Sequence, residues 1–259
     1  MNKSKIENEI KGFQKKIEES RIRSDDAFFA WFNNSKDKKT SFAKGLYDFN
    51  LHILKPLSPF LLNGHKEKNI LEIGYGGGRL LAAASKYFKN AIGVDIHGEY
   101  DFVKTELNKM NIKNIRLLKT NGKKIPLKKG SVNIVYSFIV LQHVKSITIF
   151  NKYLEECYRV LRENGIAILY FGRYHKFSYN RNSIFFYYLD RVIEKILLKR
   201  GYMEIDSNIN EVNLIVSLDY VIQLSKKIGF KVKRLLVSYR NQPNGDLSFG
   251  GQNGIVLKK

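Results

Sequence analysis

Residues 69–88 read NILEIGYGGGRLLAAASKYF: a short apolar run, then glycines at 74, 76, 77 and 78, then an alanine-rich helical pattern. This succession predicts a strand, a tight turn and a helix. Glycines permit positive φ and let a ligand approach backbone N–H groups, and the N-terminus of the following helix favours negative charge. We therefore predict a ligand-binding turn at the end of the first strand.

The same pattern continues along the chain, where short apolar runs alternate with helical patterns. Such alternation is typical of parallel strands joined by right-handed helical crossovers. A helix over 150–165, ending at Gly165, is predicted to lead into the fifth strand. The predicted fold is α/β: a Rossmann-like, mostly parallel seven-stranded sheet with helices on both faces. Its later strands fall at 91–96, 114–120, 132–137, 165–172, 231–239 and 254–259.

The sequence before residue 69 has a different pattern. Ile6, Ile10, Phe13 and Ile17 recur at helical spacing among Lys and Glu, and a second apolar helix is predicted to stop near Pro56. We expect residues 1–68 to form an N-terminal helical cap or lid, and residues 69–259 to form the main domain.

A basic, aromatic insertion at about 172–212 interrupts the strand–helix rhythm of the main domain. It contains Phe177, Tyr179, Phe185 and Tyr187 and ends in a helix with Lys199, Arg200 and Gly201 at its C-terminal end. We expect most of these aromatic side chains, like Trp31 in the cap, to fill a core. The insertion is also where we expect the substrate to be recognised.

Composition sets broad limits on function. With 45 basic and 24 acidic residues, the chain of 259 residues has a formal charge of +21, which favours anionic partners, although the lysines are scattered through every segment. The single cysteine, Cys157, excludes an internal disulfide and a cysteine-rich metal site, and we expect it to be a packed helix residue; no metal is predicted. No transmembrane segment or signal peptide is predicted, so a cytoplasmic protein is expected.

An aspartate, Asp95, follows the glycine turn about twenty residues later in the sequence. Asp95 ends the predicted second strand, where it can accept hydrogen bonds from both hydroxyls of a ribose. Together with the glycine turn it indicates a cofactor that contains adenosine. A dinucleotide fingerprint starting at Gly74 would need glycine at position 79, which is Arg79, so an NAD-dependent enzyme is the weaker alternative.

The segment from Glu72 through Gly74, Tyr75 and Gly76 to Gly78 resembles the first motif of class I S-adenosylmethionine-dependent methyltransferases, an acidic residue followed by G-x-G-x-G. The resemblance covers residues 69–171. It implies a cofactor, S-adenosylmethionine, bound by this segment and by further residues: Asp95, Ile96, Asn121, Gly122, Ser137 and Phe138.

The resemblance assigns roles to Asn121 and His143. Asn121 stands where the family has an aspartate, but its carbonyl oxygen can still accept from the adenine amino group. His143 falls near the methyl donor, where a neutral imidazole could take a proton from a substrate hydroxyl, or simply pack against the next helix. We predict His143 as the candidate catalytic residue.

The implied reaction is an in-line displacement at the sulfonium methyl group by an acceptor. Methylation of exocyclic base amines is disfavoured because residues 137–140 read SFIV rather than an Asn/Asp-Pro-Pro-aromatic element, and cytosine C5 methylation because the region lacks a cysteine nucleophile. We expect O- or N-methylation of a small molecule, with anionic acceptors such as sugar, lipid-linked or phosphorylated metabolites among the candidates. RNA methylation is the second hypothesis, and a non-catalytic Rossmann-like binding protein with a nucleic-acid or membrane surface is the third.

Overall fold

The computed structural model describes residues 13–32, 35–61, 64–209 and 211–259. Five strands follow one another as predicted and pair with one another in parallel: β1, Asn69–Ile73; β2, Asn90–Asp95; β3, Ile115–Lys119; β4, Val132–Ser137; and β5, Leu161–Gly172. Apolar residues dominate these strands because both faces of a parallel sheet are covered by helices.

Four more strands complete the sheet: β6, Tyr202–Glu204; β7, Leu214–Val216; β8, Lys231–Asn241; and β9, Leu247–Lys258. The long strands run in the order β3-β2-β1-β4-β5-β9-β8, and β9 is antiparallel to both β5 and β8. The mostly parallel sheet is thus confirmed. The two three-residue strands β6 and β7, which pair with each other beyond the end of β5, were not predicted.

Helices cover both faces of the sheet. Those of the main domain are α5, Arg79–Ser85; α6, Tyr100–Lys109; α7, Ile147–Val160; α8, Ile184–Leu197; and α9, Leu218–Ile228. Cys157 is buried in α7, as predicted, and burial raises the pKa of its thiol. Within the described part of the chain, no helix is both long enough and apolar enough to cross a membrane.

The prediction of a helix over 150–165 is wrong at the C-terminal end. α7 stops at Val160, and the strand β5 begins with Leu161, which pairs with Val132. Asn164 has a φ of +62°, a left-handed conformation that a helix cannot accommodate. The turn at Gly165 therefore lies inside β5 and does not cap the helix.

The N-terminal segment is helical, in α1, Phe13–Arg23; α2, Asp25–Trp31; α3, Lys38–Phe49; and α4, Lys55–Leu57, with a π-helical turn at Asn50–Leu54. Ile6 and Ile10 of the predicted first helix lie outside the described residues. α3 packs closely on α5 because Gly45 lets the two backbones approach: a Cβ atom there would lie 2.6 Å from the carbonyl oxygen of Arg79. Arg79 also binds Asp48 of α3 at 2.5 Å.

Candidate active site

The glycine turn lies between β1 and α5 at the carboxyl end of the sheet. Gly74 and Gly76 have φ values of +78° and +51°, a region that side chains other than glycine rarely adopt. The Gly74 N–H donates to the carbonyl oxygen of Val94 at 2.8 Å and so joins the turn to β2. A Cβ atom at Gly74 would lie 2.3 Å from Val140 Cγ2, so glycine is required there for space as well as for conformation.

Asp95 holds the turn from the end of β2. Its Oδ2 accepts from the Gly76 N–H at 2.8 Å and its Oδ1 from the Ile96 N–H at 2.7 Å. His97, which the sequence analysis missed, is fully buried and its Nε2–H donates to the Gly76 carbonyl oxygen at 3.1 Å. Both backbone groups of Gly76 are therefore held by side chains at the carboxyl end of β2.

Glu72 lies in β1 below the turn and is buried. The Tyr136 hydroxyl donates to its Oε2 at 2.8 Å. Burial raises the pKa of Glu72 to about 8, and the Tyr136 hydrogen bond and the charge of Arg79 oppose that rise. Close by, the buried Tyr75 hydroxyl has no hydrogen-bond partner among the described residues, which leaves a polar atom for a ligand to satisfy.

A cavity of about 350 Å³, here the first cavity, opens above the turn. The capping helices close one side of it with Phe13, Ile17, Trp31 and Phe32. Thr120, at the end of β3, also lines it and was missed from sequence. The structure brings most of the predicted site residues to its wall: Glu72, Gly74, Tyr75, Gly76, Asp95, Ile96, Phe138 and His143.

Two predicted residues lie behind this wall. Gly78 precedes α5 and faces α6, where a Cβ atom on it would lie 3.1 Å from Leu107 Cδ1. Ser137 is fully buried, and its hydroxyl donates to the Ile73 carbonyl oxygen at 3.3 Å. The structure thus shows both residues in contacts that support the turn and the sheet.

Asn121 and Gly122 also lie outside the lining of the first cavity. The Asn121 side chain is exposed, and its Oδ1 accepts from the backbone N–H groups of Lys123 and Lys124, each at 3.0 Å. That oxygen is engaged in a local turn. The Gly122 N–H donates to the Thr120 hydroxyl at 3.2 Å, so this pair shapes the loop that presents Thr120.

His143 lies in the wall of the first cavity with both ring nitrogens engaged. Nδ1 donates to the carbonyl oxygen of Glu211 at 2.7 Å, so Nε2 is the unprotonated nitrogen and lies 3.1 Å from Gln142 Nε2. Burial lowers the pKa of His143 to about 4. The imidazole is therefore neutral at pH 7.

A second cavity, of about 700 Å³, adjoins the first. Phe138, Ile139 and Gln142, which follow β4, line both cavities, as do Lys44 and Asp48 of α3. Ile139 has a φ of +63°, a conformation that is strained for a β-branched residue. The two cavities thus share residues of α3 and of the short segment after β4.

Two cationic and two acidic side chains line the second cavity. Lys44 and Arg240 line it, and Arg240 is held over the Tyr179 ring at 4.2 Å. Partial burial and the nearby charges of Arg79 and Arg240 lower the pKa of Lys44, while Asp48 opposes them. The two acidic side chains of the second cavity already have partners. Asp48 forms an ion pair with Arg79, and the Glu211 carboxylate accepts a hydrogen bond from the Asn208 N–H.

Two further groups in the second cavity can bind or activate a ligand. Gln252 is buried, and its Nε2 has no hydrogen-bond partner among the described residues. His175 places Nδ1 2.8 Å from the Arg173 carbonyl oxygen, to which it donates, so its Nε2 is the unprotonated nitrogen. Sequence reasoning missed both residues because they come from the insertion and from β9, far from any motif.

The glycine turn and Asp95 of the first cavity lie within a segment that is similar to known proteins. Residues 71–169 match the family model of a methyltransferase domain. Over these residues the chain carries a methyltransferase domain. Among curated proteins, none matches the sequence significantly.

Several solved structures of other proteins have a fold similar to that of this chain. A SAM-dependent methyltransferase from Aquifex aeolicus is 19% identical, with a TM-score of 0.51 over 84% of this chain and 96% of that one. Another, from Methanosarcina mazei, is 16% identical, with a TM-score of 0.53 over 75% of this chain and 93% of that one.

The methyltransferase domain implies S-adenosylmethionine as the cofactor. The residues present fit it: a buried tyrosine hydroxyl lacks a partner, carboxylates lie at the ends of β1 and β2, and the turn leaves no room for side chains. A cationic sulfonium suits a cavity with the Asp95 carboxylate in its wall.

Proposed function

We propose that the methyltransferase transfers the methyl group of S-adenosylmethionine to an oxygen or nitrogen atom of a small, anionic acceptor bound in the second cavity. The observation that carries this proposal is the shared wall: Phe138, Ile139 and Gln142 line both cavities. Ligands bound in the two cavities would meet at this shared wall. S-adenosylmethionine supplies an electrophilic methyl group, so the protein contributes mainly alignment and exclusion of water.

In this proposal the cofactor is held by the residues around the glycine turn. Asp95 would bind the ribose hydroxyls, while its bonds to the Gly76 and Ile96 N–H groups fix its orientation. Glu72 and Tyr75 would contact the polar parts of the cofactor from below the turn. The capping residues Trp31 and Phe32 support exclusion of water, because they close one side of the first cavity.

The acceptor would be oriented by the cationic groups of the second cavity. Lys44 and Arg240 favour an anionic group on the acceptor, and the unpartnered Gln252 amide offers it a further donor. For a hydroxyl acceptor there are two candidate bases. His143 is the one predicted from sequence; His175 is the one that lies in the second cavity with an unprotonated Nε2.

The first test is isothermal titration of the wild-type protein and of Asp95→Ala with S-adenosylmethionine, S-adenosylhomocysteine and NAD. We expect the first two to bind and to bind about tenfold or more weakly to the variant, because charge-assisted hydrogen bonds are lost. Asp101→Ala, which removes an exposed carboxylate from α6, is the matched control and should bind normally. Binding of NAD alone would refute the cofactor assignment.

The second test identifies the acceptor. Transfer of a labelled methyl group is measured with a panel of sugar phosphates, hydroxy acids, neutral sugars and short RNAs. We expect transfer to anionic small molecules, since these match the second cavity. Transfer to RNA alone would reject the small-molecule proposal in favour of the second hypothesis.

A further inference from the structure

Helix α8 turns its charged face inward and its apolar face outward. Asp190 is 0% exposed and Glu194 is 2% exposed, whereas Phe185 and Ile196 on the opposite face are each 67% exposed. A helix on the surface of a globular protein ordinarily has the reverse arrangement. Methyl transfer does not require this arrangement.

The inward face is fixed by hydrogen bonds. Asp190 accepts from the backbone N–H groups of Phe177 at 2.9 Å and Ser178 at 2.8 Å, and it lies 3.6 Å from the Arg173 guanidinium. Glu194 accepts from the Tyr174 N–H at 3.0 Å. Rotation of the helix would break these bonds and leave buried donors without partners, which is costly. The outward direction of the apolar face is therefore set by the fold.

The outward face is a continuous apolar stripe. Ile184, Tyr188, Val192 and Ile196 are spaced four residues apart, so they lie on one side of the helix, and Phe185 widens the row. Each of the five is more than half exposed. Exposed apolar groups in such a row, rather than scattered singly, mark an interaction surface. We call these five residues the α8 stripe.

The exposed charges of residues 173–200 have one sign, and one acidic side chain from α9, Asp219, pairs with Lys195 at 3.0 Å and Arg191 at 3.7 Å. Between residues 173 and 200 the only acidic residues are Asp190 and Glu194, and both are buried. The exposed charged side chains of this segment are all basic: Lys176, Arg181, Lys195, Lys199 and Arg200. A partner that covers the stripe therefore meets positive charge along its edges.

We propose that the α8 stripe binds the surface of an anionic lipid bilayer. A helix that lies in the membrane interface presents apolar and aromatic side chains to the lipid and lysines or arginines to the headgroups, which is the arrangement of this segment. The same insertion supplies His175 and Tyr179 to the second cavity. Binding through α8 thus brings that cavity close to the lipid surface.

The test is co-sedimentation of the full chain with vesicles of phosphatidylcholine alone and with vesicles in which phosphatidylglycerol replaces about a third of it. We expect binding to the anionic vesicles only. The double variant Phe185→Ser/Val192→Ser should bind about tenfold or more weakly, because two apolar side chains no longer enter the lipid. Both side chains are exposed, so we expect the variant to keep the wild-type circular dichroism spectrum and thermal stability.

A matched variant separates the stripe from the overall charge of the protein. Ile22→Ser/Leu235→Ser removes two exposed apolar side chains from α1 and β8, and it should bind vesicles like the wild type. If the α8 variant also binds like the wild type, charge alone holds the protein and the proposal fails. It fails equally if no vesicle is bound, or if the wild type sediments as a dimer that the α8 variant dissociates, since a second copy would then cover the stripe. Titration of each variant with S-adenosylhomocysteine reports separately on the methyltransferase site.

Discussion

The Phe32 ring lies directly against Gly76, so that a Cβ atom on this glycine would sit 2.6 Å from Phe32 Cδ1. Phe32 follows α2 in the capping helices, whereas Gly76 belongs to the turn that Asp95 and His97 hold. The cap therefore contacts the glycine turn itself, and the size of residue 76 limits how closely the cap can approach.

Replacing Gly76 with alanine is expected to lower the free energy of unfolding by about 1–2 kcal/mol from its positive φ alone. The overlap with Phe32 adds to this loss. Urea denaturation of Gly76→Ala, Phe32→Ala and the double variant separates the two effects. The double variant should lose less stability than the sum of the single variants, because the overlap is then absent.

Gly98→Ala is the control for this series, since a Cβ atom there meets nothing within 4 Å. It should change stability by no more than about 0.5 kcal/mol. Strict additivity of the Gly76 and Phe32 substitutions would show that the cap does not contact the turn in solution.

Glu72 is expected to make stability depend on pH. Its pKa is raised from 4.5 to about 8 by burial, so between these pH values the folded protein holds a proton that the unfolded chain has released. The free energy of unfolding should therefore fall as pH rises through this window, by up to about 1.4 kcal/mol per pH unit. Denaturation of the wild type and Glu72→Gln across the window measures it. The glutamine variant should lack this part of the slope; equal slopes would mean that Glu72 is already ionised in the fold.

The two candidate bases can be separated by kinetics. We expect His175→Gln to lower kcat by about 100-fold or more for a hydroxyl acceptor, with little change in cofactor affinity. His143→Gln should have the smaller effect on kcat, because both ring nitrogens of His143 are engaged and its pKa is about 4. A larger loss of kcat in His143→Gln would instead support the residue predicted from sequence.

Arg240→Gln is expected to raise KM for an anionic acceptor about tenfold while leaving KM for S-adenosylmethionine unchanged, since Arg240 lines only the second of the two cavities. Arg234→Gln, an exposed arginine of the same strand outside both linings, is the matched control. Steady-state kinetics of the two variants provide the measurement. Equal effects of the two substitutions would attribute acceptor binding to the general positive charge of the protein.

The glycine turn and the position of Asp95 beside it were predictable because both follow from local sequence patterns. Glycines at 74 and 76 are needed for conformation and space, and Asp95 ends the adjacent strand, so local pattern and topology together place them side by side. Asn121 was placed in the wall by resemblance alone. Its side chain oxygen instead accepts two backbone hydrogen bonds in a local turn.

The second cavity and the direction of α8 could not be predicted. Lys44, His175, Arg240 and Gln252 come from four distant segments that meet only in the folded chain. The expectation that Phe185 fills a core is wrong, since it is 67% exposed. Periodicity indicates that a helix has an apolar side, but the buried partners of Asp190 and Glu194 decide which side faces outward.

The left-handed conformation of Ile139 has a consequence for evolution of the enzyme. A β-branched residue at this φ lowers stability by about 1–3 kcal/mol, which glycine or asparagine would largely recover. Yet Ile139 lines both cavities. Selection for stability alone would replace it, so its retention across related sequences would signal that the spacing between methyl donor and acceptor, rather than folding, constrains this position.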